Sequence, residues 1–585
     1  MPPDHVSERR GYAYPDAHMS TPNLGWNLHG VGVESMGRNG RPEPIVIPTP
    51  GPDQLLVRVD AVGLCYSDVK LINQGGAHPK LYGRNLAIEP TRLGHEATVT
   101  VIDVGTALQE TYHRGQRLAI QPDIYVDNRS TAYGYTIPGG LIQYQLLGPE
   151  VLDGDDGAYV IDVDDDIGYA AAALSEPWAC VEAAYTQRRR LAPLDGGIMW
   201  IVGHADDPVA YDFSSGLDAP SRVVLSDVSP YVSELVAAHA RPNATIQARD
   251  AIGPDAYAAL AKEMTNGTGF DDIVLLDPES SAQVTAMAAQ VGFRGTLNLV
   301  GRRPLDGLPS IDAGRIHYHY TTYVGNQGPD IAASYGPTRN RAELRPGGVA
   351  VYVGAGGPMG QMHIQRALEL AGGPQTLIAV DVDDARLQVV RDVLVPLAHE
   401  RSRSLVVVNA GEDPAAPARV VAEVTGGVGA DDVIVSVPVA AVMGDAARLM
   451  SADGMLVLFA GVPNGSLTPL DVTDVYLHNA QFTGTSGSRI ADQEVVLAKA
   501  VAGELSPERS LAAVGGIEAA QDGVQAMLDG RFAGKIVIFP QLSGLDLMGI
   551  DELAARHPTI GQKLDGGRWT TAAESEMIAT FGTSP

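Results

Sequence analysis

Cysteine is nearly missing from this chain: Cys65 and Cys180 are the only two in 585 residues. That count excludes a disulfide framework and a four-cysteine structural zinc site. Long hydrophobic runs are missing too, and none is long enough to span a bilayer. The first twenty residues carry Asp4, Glu8, Arg9, Arg10 and Asp16 and lack the apolar core of a secretory signal. These absences predict a cytoplasmic chain with no membrane partner. Basic residues are outnumbered, 41 Lys and Arg against 70 Asp and Glu, for a net charge of −29. A phosphate backbone would be repelled, so no nucleic-acid partner is expected. What remains is globular composition, 45% hydrophobic and 19% charged, at a length that predicts two to four domains.

Three regimes follow one another. From about Gly25 to Val160 the apolar stretches are short and alternating, as in Leu55-Leu56-Val57-Arg58-Val59, with Gly and Pro between them. This predicts an all-β module with barrel-like closure. An Ala-rich stretch from Ile167 to Leu191 suits a helix broken at Pro177. From Gly197 onward, apolar strands of about six residues alternate with helical stretches, the pattern of a parallel sheet covered by helices on both faces.

That last pattern occurs twice. Strands are expected at Ile198–Gly203, Val223–Ser229, Thr245–Arg249, Asp272–Leu276 and Thr296–Val300, and again at Val349–Val353, Thr376–Asp381, Ser404–Asn409, Asp432–Val437 and Met455–Phe459. The copies share residues as well as periodicity: Gly269-Phe270-Asp271-Asp272 matches Gly429-Ala430-Asp431-Asp432. An offset of about 150–160 residues suits a repeated whole domain. The polar tail after Pro540 reads either as a docking segment or as a frayed terminus.

Four segments of the first regime carry chemistry: Gly63-Leu64-Cys65-Tyr66-Ser67-Asp68, Gly94-His95-Glu96, Gly115-Gln116-Arg117, and Ser175-Glu176-Pro177. Zinc favours a thiolate, an imidazole and often a carboxylate, with one position open. Cys65, His95 and either Glu176 or Glu96 supply that set. Taken singly, a buried Cys is a small hydrophobe and a lone His a structural residue.

Together and in this order the segments resemble the zinc-dependent medium-chain dehydrogenase/reductase superfamily, its sorbitol-dehydrogenase and sugar-phosphate-reductase branches above all, over about Trp26 to Pro540. The chain departs from that pattern at Val99, where a glycine is usual. The resemblance implies a GroES-like catalytic domain and these roles. Cys65 and His95 bind zinc. Glu176 is the carboxylate ligand or holds the bound water. Glu96 is the exchangeable ligand or its neighbour. Ser67 relays the alcohol proton, and Asp68 orients His95. Arg84, Arg92 and Arg129 are the basic residues that could meet a substrate phosphate.

The second copy opens with Val353-Gly354-Ala355-Gly356-Gly357-Pro358-Met359-Gly360, a glycine-rich turn between strand and helix. Glycines let the backbone approach a pyrophosphate, and the helix N-terminus favours its charge. The spacing departs by one residue from Gly-x-Gly-x-x-Gly, but Asp381 ends the next strand at the expected distance. Asp381 suits the ribose hydroxyls and disfavours a 2′-phosphate, so NAD is expected over NADP despite Arg386 nearby. In the first copy His204-Ala205-Asp206-Asp207-Pro208 replaces the glycines, and dinucleotide binding is expected to be lost there.

The expected architecture is therefore β plus α/β. A GroES-like β-barrel domain (1–190) is followed by two tandem Rossmann-type doubly wound domains, degenerate (191–340) and NAD-binding (341–540), and by a C-terminal extension (541–585). The expected activity is zinc- and NAD-dependent interconversion of a secondary alcohol, on a polyol, sugar or sugar phosphate, with its ketone. The alternatives are a redox-neutral epimerase or isomerase that keeps its NAD, and a non-catalytic binding protein. The chain is expected either to form a homo-oligomer or to be a monomer in which the second Rossmann-type sheet occupies the edge that relatives use to dimerise. The second case places the segments near Thr321 and Thr483 side by side.

Overall fold

The computed structural model describes residues 12, 23–47, 49–186 and 189–582. They form two compact units, 1–183 with 487–585, and 184–486. No helix among the described residues is long and apolar enough to cross a membrane.

The first unit is organised by two long strands, Leu55–Gly63 and Glu96–Val104, paired antiparallel with two register shifts. Register shifts of this kind bend a strand and increase its twist. Arg117–Ile120 and Val160–Asp162 extend the sheet on the Glu96–Val104 side. On the other side come Lys535–Phe539, Leu511–Gly516 and Met548–Gly549. Tyr144–Leu147 also pairs with Leu55–Gly63. Alternate side chains of these strands, among them Val57, Val59, Val99 and Val101, fill one apolar core with Trp26, Leu28 and Tyr133.

This arrangement corrects one expected boundary. The segment from Gly487 leaves the second α/β stretch and returns to the first unit, so the expected 341–540 domain ends near residue 486. The cause is strand pairing, since Ile538 and Val537 lie opposite Val62 and Gly63. The tail after 541 is docked. Helix Thr571–Phe581 turns the buried Glu574 toward helix Tyr169–Ala183, where its carboxylate accepts the backbone N–H groups of Tyr169 (2.6 Å) and Ala170 (2.8 Å). A carboxylate at a helix N-terminus satisfies otherwise orphaned donors and meets the positive end of the dipole.

Helix Tyr169–Ala183 also runs straight through Pro177, where a break was expected. The ring removes one backbone hydrogen bond. Thirteen of its fifteen residues are buried, and that packing holds the helix together regardless. Continuity places Glu176 and Cys180, four residues apart, on one face.

The second unit holds two six-stranded parallel sheets. Thr245–Arg249, Arg222–Ser226, Ile198–Val202, Phe270–Leu276, Val291–Val300 and Thr322–Asn326 form one. Ser404–Asn409, Thr376–Asp381, Val349–Val353, Ala430–Val435, Met450–Leu458 and Gln481–Gly484 form the other. Both have the spatial order 3-2-1-4-5-6, that of dinucleotide-binding doubly wound sheets.

The shared Gly-x-Asp-Asp has a physical cause. Gly269 and Gly429 sit at φ +85° and +96°, where a Cβ would be strained. Asp271 and Asp431 accept the N–H of Ile198 and Val349, each at 2.8 Å. Asp272 and Asp432 accept the N–H of Leu194 (3.0 Å) and Arg345 (2.8 Å) and pair with Arg190 and Arg341. The same carboxylate pair thus ties down the first strand of each sheet.

The halves differ in one element. Helix Pro358–Glu369 follows the first strand of the second half. No helix lies between Ile198–Val202 and Arg222–Ser226 in the first half, where buried Tyr211, Phe213 and Leu217 cover the sheet instead.

The halves share a core: Trp200, Phe270, Ile311 and Ile316 belong to one buried cluster with Val433, Leu456, Tyr476 and Phe482. Their edge strands Thr322–Asn326 and Gln481–Gly484 remain in separate sheets, so the expected joined sheet is not formed. A short antiparallel ladder, Ser310–Asp312 against Leu467–Pro469, links the halves instead. Thr321 and Thr483 both contribute to the wall of one cavity.

Candidate functional site

The antiparallel pairing of Leu55–Gly63 with Glu96–Val104 puts Gly63 opposite Glu96. Cys65, two residues past one strand, and His95, one residue before the other, therefore meet at the same end. Gly63 leaves room for the Glu96 carboxylate, which a Cβ there would displace. Gly94 turns at φ +90°, where a Cβ would crowd Val62 and Leu141.

Cys65 is the N-cap of helix Tyr66–Gln74. Asp68, in the first turn, accepts the backbone N–H of Cys65 (3.0 Å) and of Gly94 (3.2 Å), which ties the two segments together. Its Oδ1 lies 3.4 Å from His95 Nδ1. Burial raises the Asp68 carboxyl, but His95 and the two N–H donors outweigh that and hold it below its usual range. Ser67 Oγ lies 3.6 Å from Cys65 Sγ.

One ligand atom each from Cys65, His95 and Glu96 lies within 4.8 Å of the others. Sulfur, imidazole nitrogen and carboxylate oxygen form a zinc-type donor set. Glu96 is fully buried, and its Oε2 has no hydrogen-bond partner among the described residues. A buried carboxylate oxygen left bare is costly unless a cation meets it, so these residues fit a divalent ion.

Glu176 stands outside this group of three. It is buried on its helix, and burial first, then the charges of Glu96 and Asp123, push its carboxyl up to about 7 against the opposing pull of His95 and Lys535. Its Oε1 lies 3.9 Å from Cys180 Sγ.

Lys535 is a site residue that sequence reasoning missed. Its Nζ donates to Glu96 Oε1 at 2.6 Å and to the Leu64 carbonyl at 2.9 Å, with both side chains buried. Lys80 pairs with Asp123 at 2.8 Å, and its Nζ sits 4.9 Å from the centre of the Tyr135 ring, which in turn lies 6.0 Å from the His95 ring. The three arginines considered for a substrate phosphate are engaged elsewhere. Arg84 bonds the Thr136 carbonyl, Arg92 bonds Asn27 and the Gly139 carbonyl, and Arg129 stacks on Tyr82.

In the second unit the glycine turn has the shape of a phosphate cradle. Gly354 is at φ +84°. A Cβ on Gly356 would come within 2.6 Å of Arg386 Cβ, and one on Gly360 would overlap the Gly354 carbonyl. Gly357 caps helix Pro358–Glu369, with Pro358 and Met359 opening its first turn. Pro at that position costs the helix nothing, since that N–H would be unsatisfied anyway. Asp381 Oδ2 accepts the Gly356 N–H at 2.8 Å, tying the end of the second strand to the turn. These residues fit a dinucleotide.

Two family models match the chain. The alcohol dehydrogenase GroES-like domain matches residues 51–152, and the zinc-binding dehydrogenase domain matches residues 358–502. The L-sorbose 1-phosphate reductase of Klebsiella pneumoniae is 26% identical over 310 residues, 50% of this chain and 73% of that protein. The sorbitol dehydrogenase of Macaca fascicularis is 36% identical over 106 residues, 18% of this chain and 26% of that protein. The chain spans about half to three quarters of the length of the curated relatives it matches over the longest stretches. Among solved structures, the 2R,3R-butanediol dehydrogenase of Bacillus subtilis shares the fold, with a TM-score of 0.50 and 16% identity over 88% of this chain and 99% of that one.

Proposed function

The chain belongs to the zinc-dependent medium-chain dehydrogenase/reductase superfamily, and on that premise we propose that it oxidises a secondary alcohol of polyol, sugar or sugar-phosphate type to its ketone, and runs the reverse, with NAD. The observation that carries this reading is the Cys65, His95 and Glu96 donor set converging within 4.8 Å. Zinc held there supplies Lewis acidity toward the substrate oxygen, and NAD held at the glycine turn supplies the hydride acceptor.

The chain's own residues do the rest. Cys65 and His95 hold the metal, and Asp68 fixes His95 in orientation. Lys535 neutralises one oxygen of Glu96 and leaves the other as the metal-facing donor. Glu176, its carboxyl raised to about 7 chiefly by burial, would hold a water or exchange into the donor set. Ser67 would relay the proton of the substrate hydroxyl onward to solvent, giving up its own proton as it accepts that one. Asp381 accepts hydrogen bonds from the adenosine ribose, which favours NAD over NADP.

The two α/β halves are a duplicated Rossmann-type domain. The first half has lost dinucleotide binding along with its first helix, because no helix N-terminus remains to meet a pyrophosphate. The segments that pack across the seam come in matching pairs, which is the pattern of an isologous interface inside one chain. A monomer or a simple homo-oligomer both accommodate such a seam.

The test is NADH formation, followed at its absorbance, with polyols, sugars and their phosphate esters, before and after chelator dialysis. Steady NADH accumulation that stops on metal removal is the expected result. Substrate epimerised with no NADH released, or turnover indifferent to the chelator, would overturn the reading.

A further inference from the structure

The cavity at the seam of the second unit is chemically unlike the rest of the chain. It has a volume of about 300 Å³ and is walled by both halves. Among the described residues, four arginines line it, Arg189, Arg190, Arg294 and Arg341, and no carboxylate does. In a protein of net charge −29, a wall whose only charged side chains among the described residues are arginines stands out.

The arginines are held in place before any ligand arrives. Arg190 and Arg341 occupy matching positions in the two halves. Each is braced from behind by its carboxylate, Asp272 or Asp432, and by the carbonyl of the preceding aspartate. Each side chain keeps 22% of its surface exposed. Arg189 is fixed by Asn340 Oδ1 (3.0 Å) and by the carbonyls of Tyr335 and Arg339. Burial, and then the charge of Arg339, lower its guanidinium to about 10, which still leaves it charged at neutral pH. Arg294 is exposed and lies over the rings of Tyr320 (5.1 Å) and Phe293 (5.7 Å), with no ion pair among the described residues. Thr322 and Thr483 add hydroxyls from the two facing edge strands.

We propose that this seam cavity binds a small polyanion of the phosphate class, held by guanidinium groups from both halves of the duplicated domain. Fixed guanidinium forks match phosphate oxygens two at a time. An anion would also relieve the crowding of positive charge around Arg189. Binding would clamp the two halves together, because the ligating residues come from each. The inference is independent of the zinc and nicotinamide chemistry.

Titration calorimetry of the full chain with inorganic pyrophosphate tests it. The controls are Gly360→Ala, which disturbs the glycine turn, and Arg294→Glu and Thr483→Glu, which place a carboxylate at the cavity from one half and the other. The expected result is a pyrophosphate site that survives Gly360→Ala and weakens at least tenfold in each Glu variant, with melting temperatures unchanged. No binding at millimolar pyrophosphate, binding lost only in Gly360→Ala, or binding indifferent to both Glu substitutions would each overturn the proposal.

Discussion

Replacing Lys535 by Met isolates the electrostatics of the candidate metal site. The ammonium sits 2.6 Å from Glu96 Oε1 and 2.9 Å from the Leu64 carbonyl, with 5% of its side chain exposed and none of the Glu96 side chain. Met keeps most of the apolar stem and removes only the charge and its donors. Breaking a buried ion pair by removing one partner costs about 3–5 kcal/mol, because the other charge is left uncompensated. Here the loss falls on a carboxylate whose Oε2 is already bare, so neither oxygen would retain a partner among the described residues. A divalent ion on that carboxylate supplies the missing positive charge. Urea unfolding of chelator-stripped protein should therefore show Lys535→Met less stable by about 3–5 kcal/mol, and added zinc should recover at least half of that deficit. Zinc stabilises any folded state that binds it, so the quantity to read is the difference between the two proteins with and without metal. A metal-free variant within about 1 kcal/mol of the parent, or equal stabilisation of both proteins by zinc, would refute the reasoning.

Gly360→Ala should weaken NADH binding at least tenfold, about 1.4 kcal/mol, measured by nicotinamide fluorescence, because its Cβ would overlap the Gly354 carbonyl; unchanged affinity would contradict the cradle. His363 predicts an acid-sensitive fold. Its Nδ1 bonds the Tyr185 hydroxyl at 2.8 Å, its ring lies 4.3 Å from that of Phe459, and burial, then Arg366, lowers it to about 3 from 6.5. The fold holds the ring neutral, so its contribution is whole above pH 6.5 and falls by about 1.4 kcal/mol per unit as pH drops below that value toward 3. The stability gap between the parent and His363→Gln should narrow by about 2 kcal/mol from pH 7.5 to pH 5, and a constant gap would contradict it. Burial also raises the Glu574 carboxyl above its ordinary value even though it accepts two N–H groups. A raised carboxyl favours the fold below its unfolded pKa, and that advantage is lost as pH rises through the folded value. The melting temperature of the parent relative to Glu574→Gln should accordingly fall from pH 4 to pH 8, and a rise would contradict the assignment.

What the sequence made legible was whatever is local. The strands of both parallel sheets follow from apolar runs of about six residues, and the repeat from Gly-x-Asp-Asp, whose glycine and carboxylates have fixed backbone duties. Cys65, His95 and Glu96 lie in segments whose glycines leave room for the strands to close on the site. Other features depend on distant pairing. Nothing near residue 535 shows that a lysine there meets Glu96, 439 positions away. The strands at 511–516 and 535–539 read as ordinary apolar runs, and only their partners reveal that they leave the α/β unit for the barrel-side sheet. Pro177 misled because a proline's local cost was weighed without the burial that offsets it. In the first half, the missing glycines led to the expectation that dinucleotide binding is absent, but the lack of a helix between Ile198–Val202 and Arg222–Ser226 did not show in the pattern.

Metal content of the purified protein is the direct measure of the central claim, read for the parent, Cys65→Ala and His95→Ala side by side with NAD-dependent polyol oxidation. The account predicts about one zinc per parent chain, near none in either variant, and activity that tracks the metal. Equal zinc in all three proteins, or a parent chain that turns over polyols with no metal bound, would contradict it.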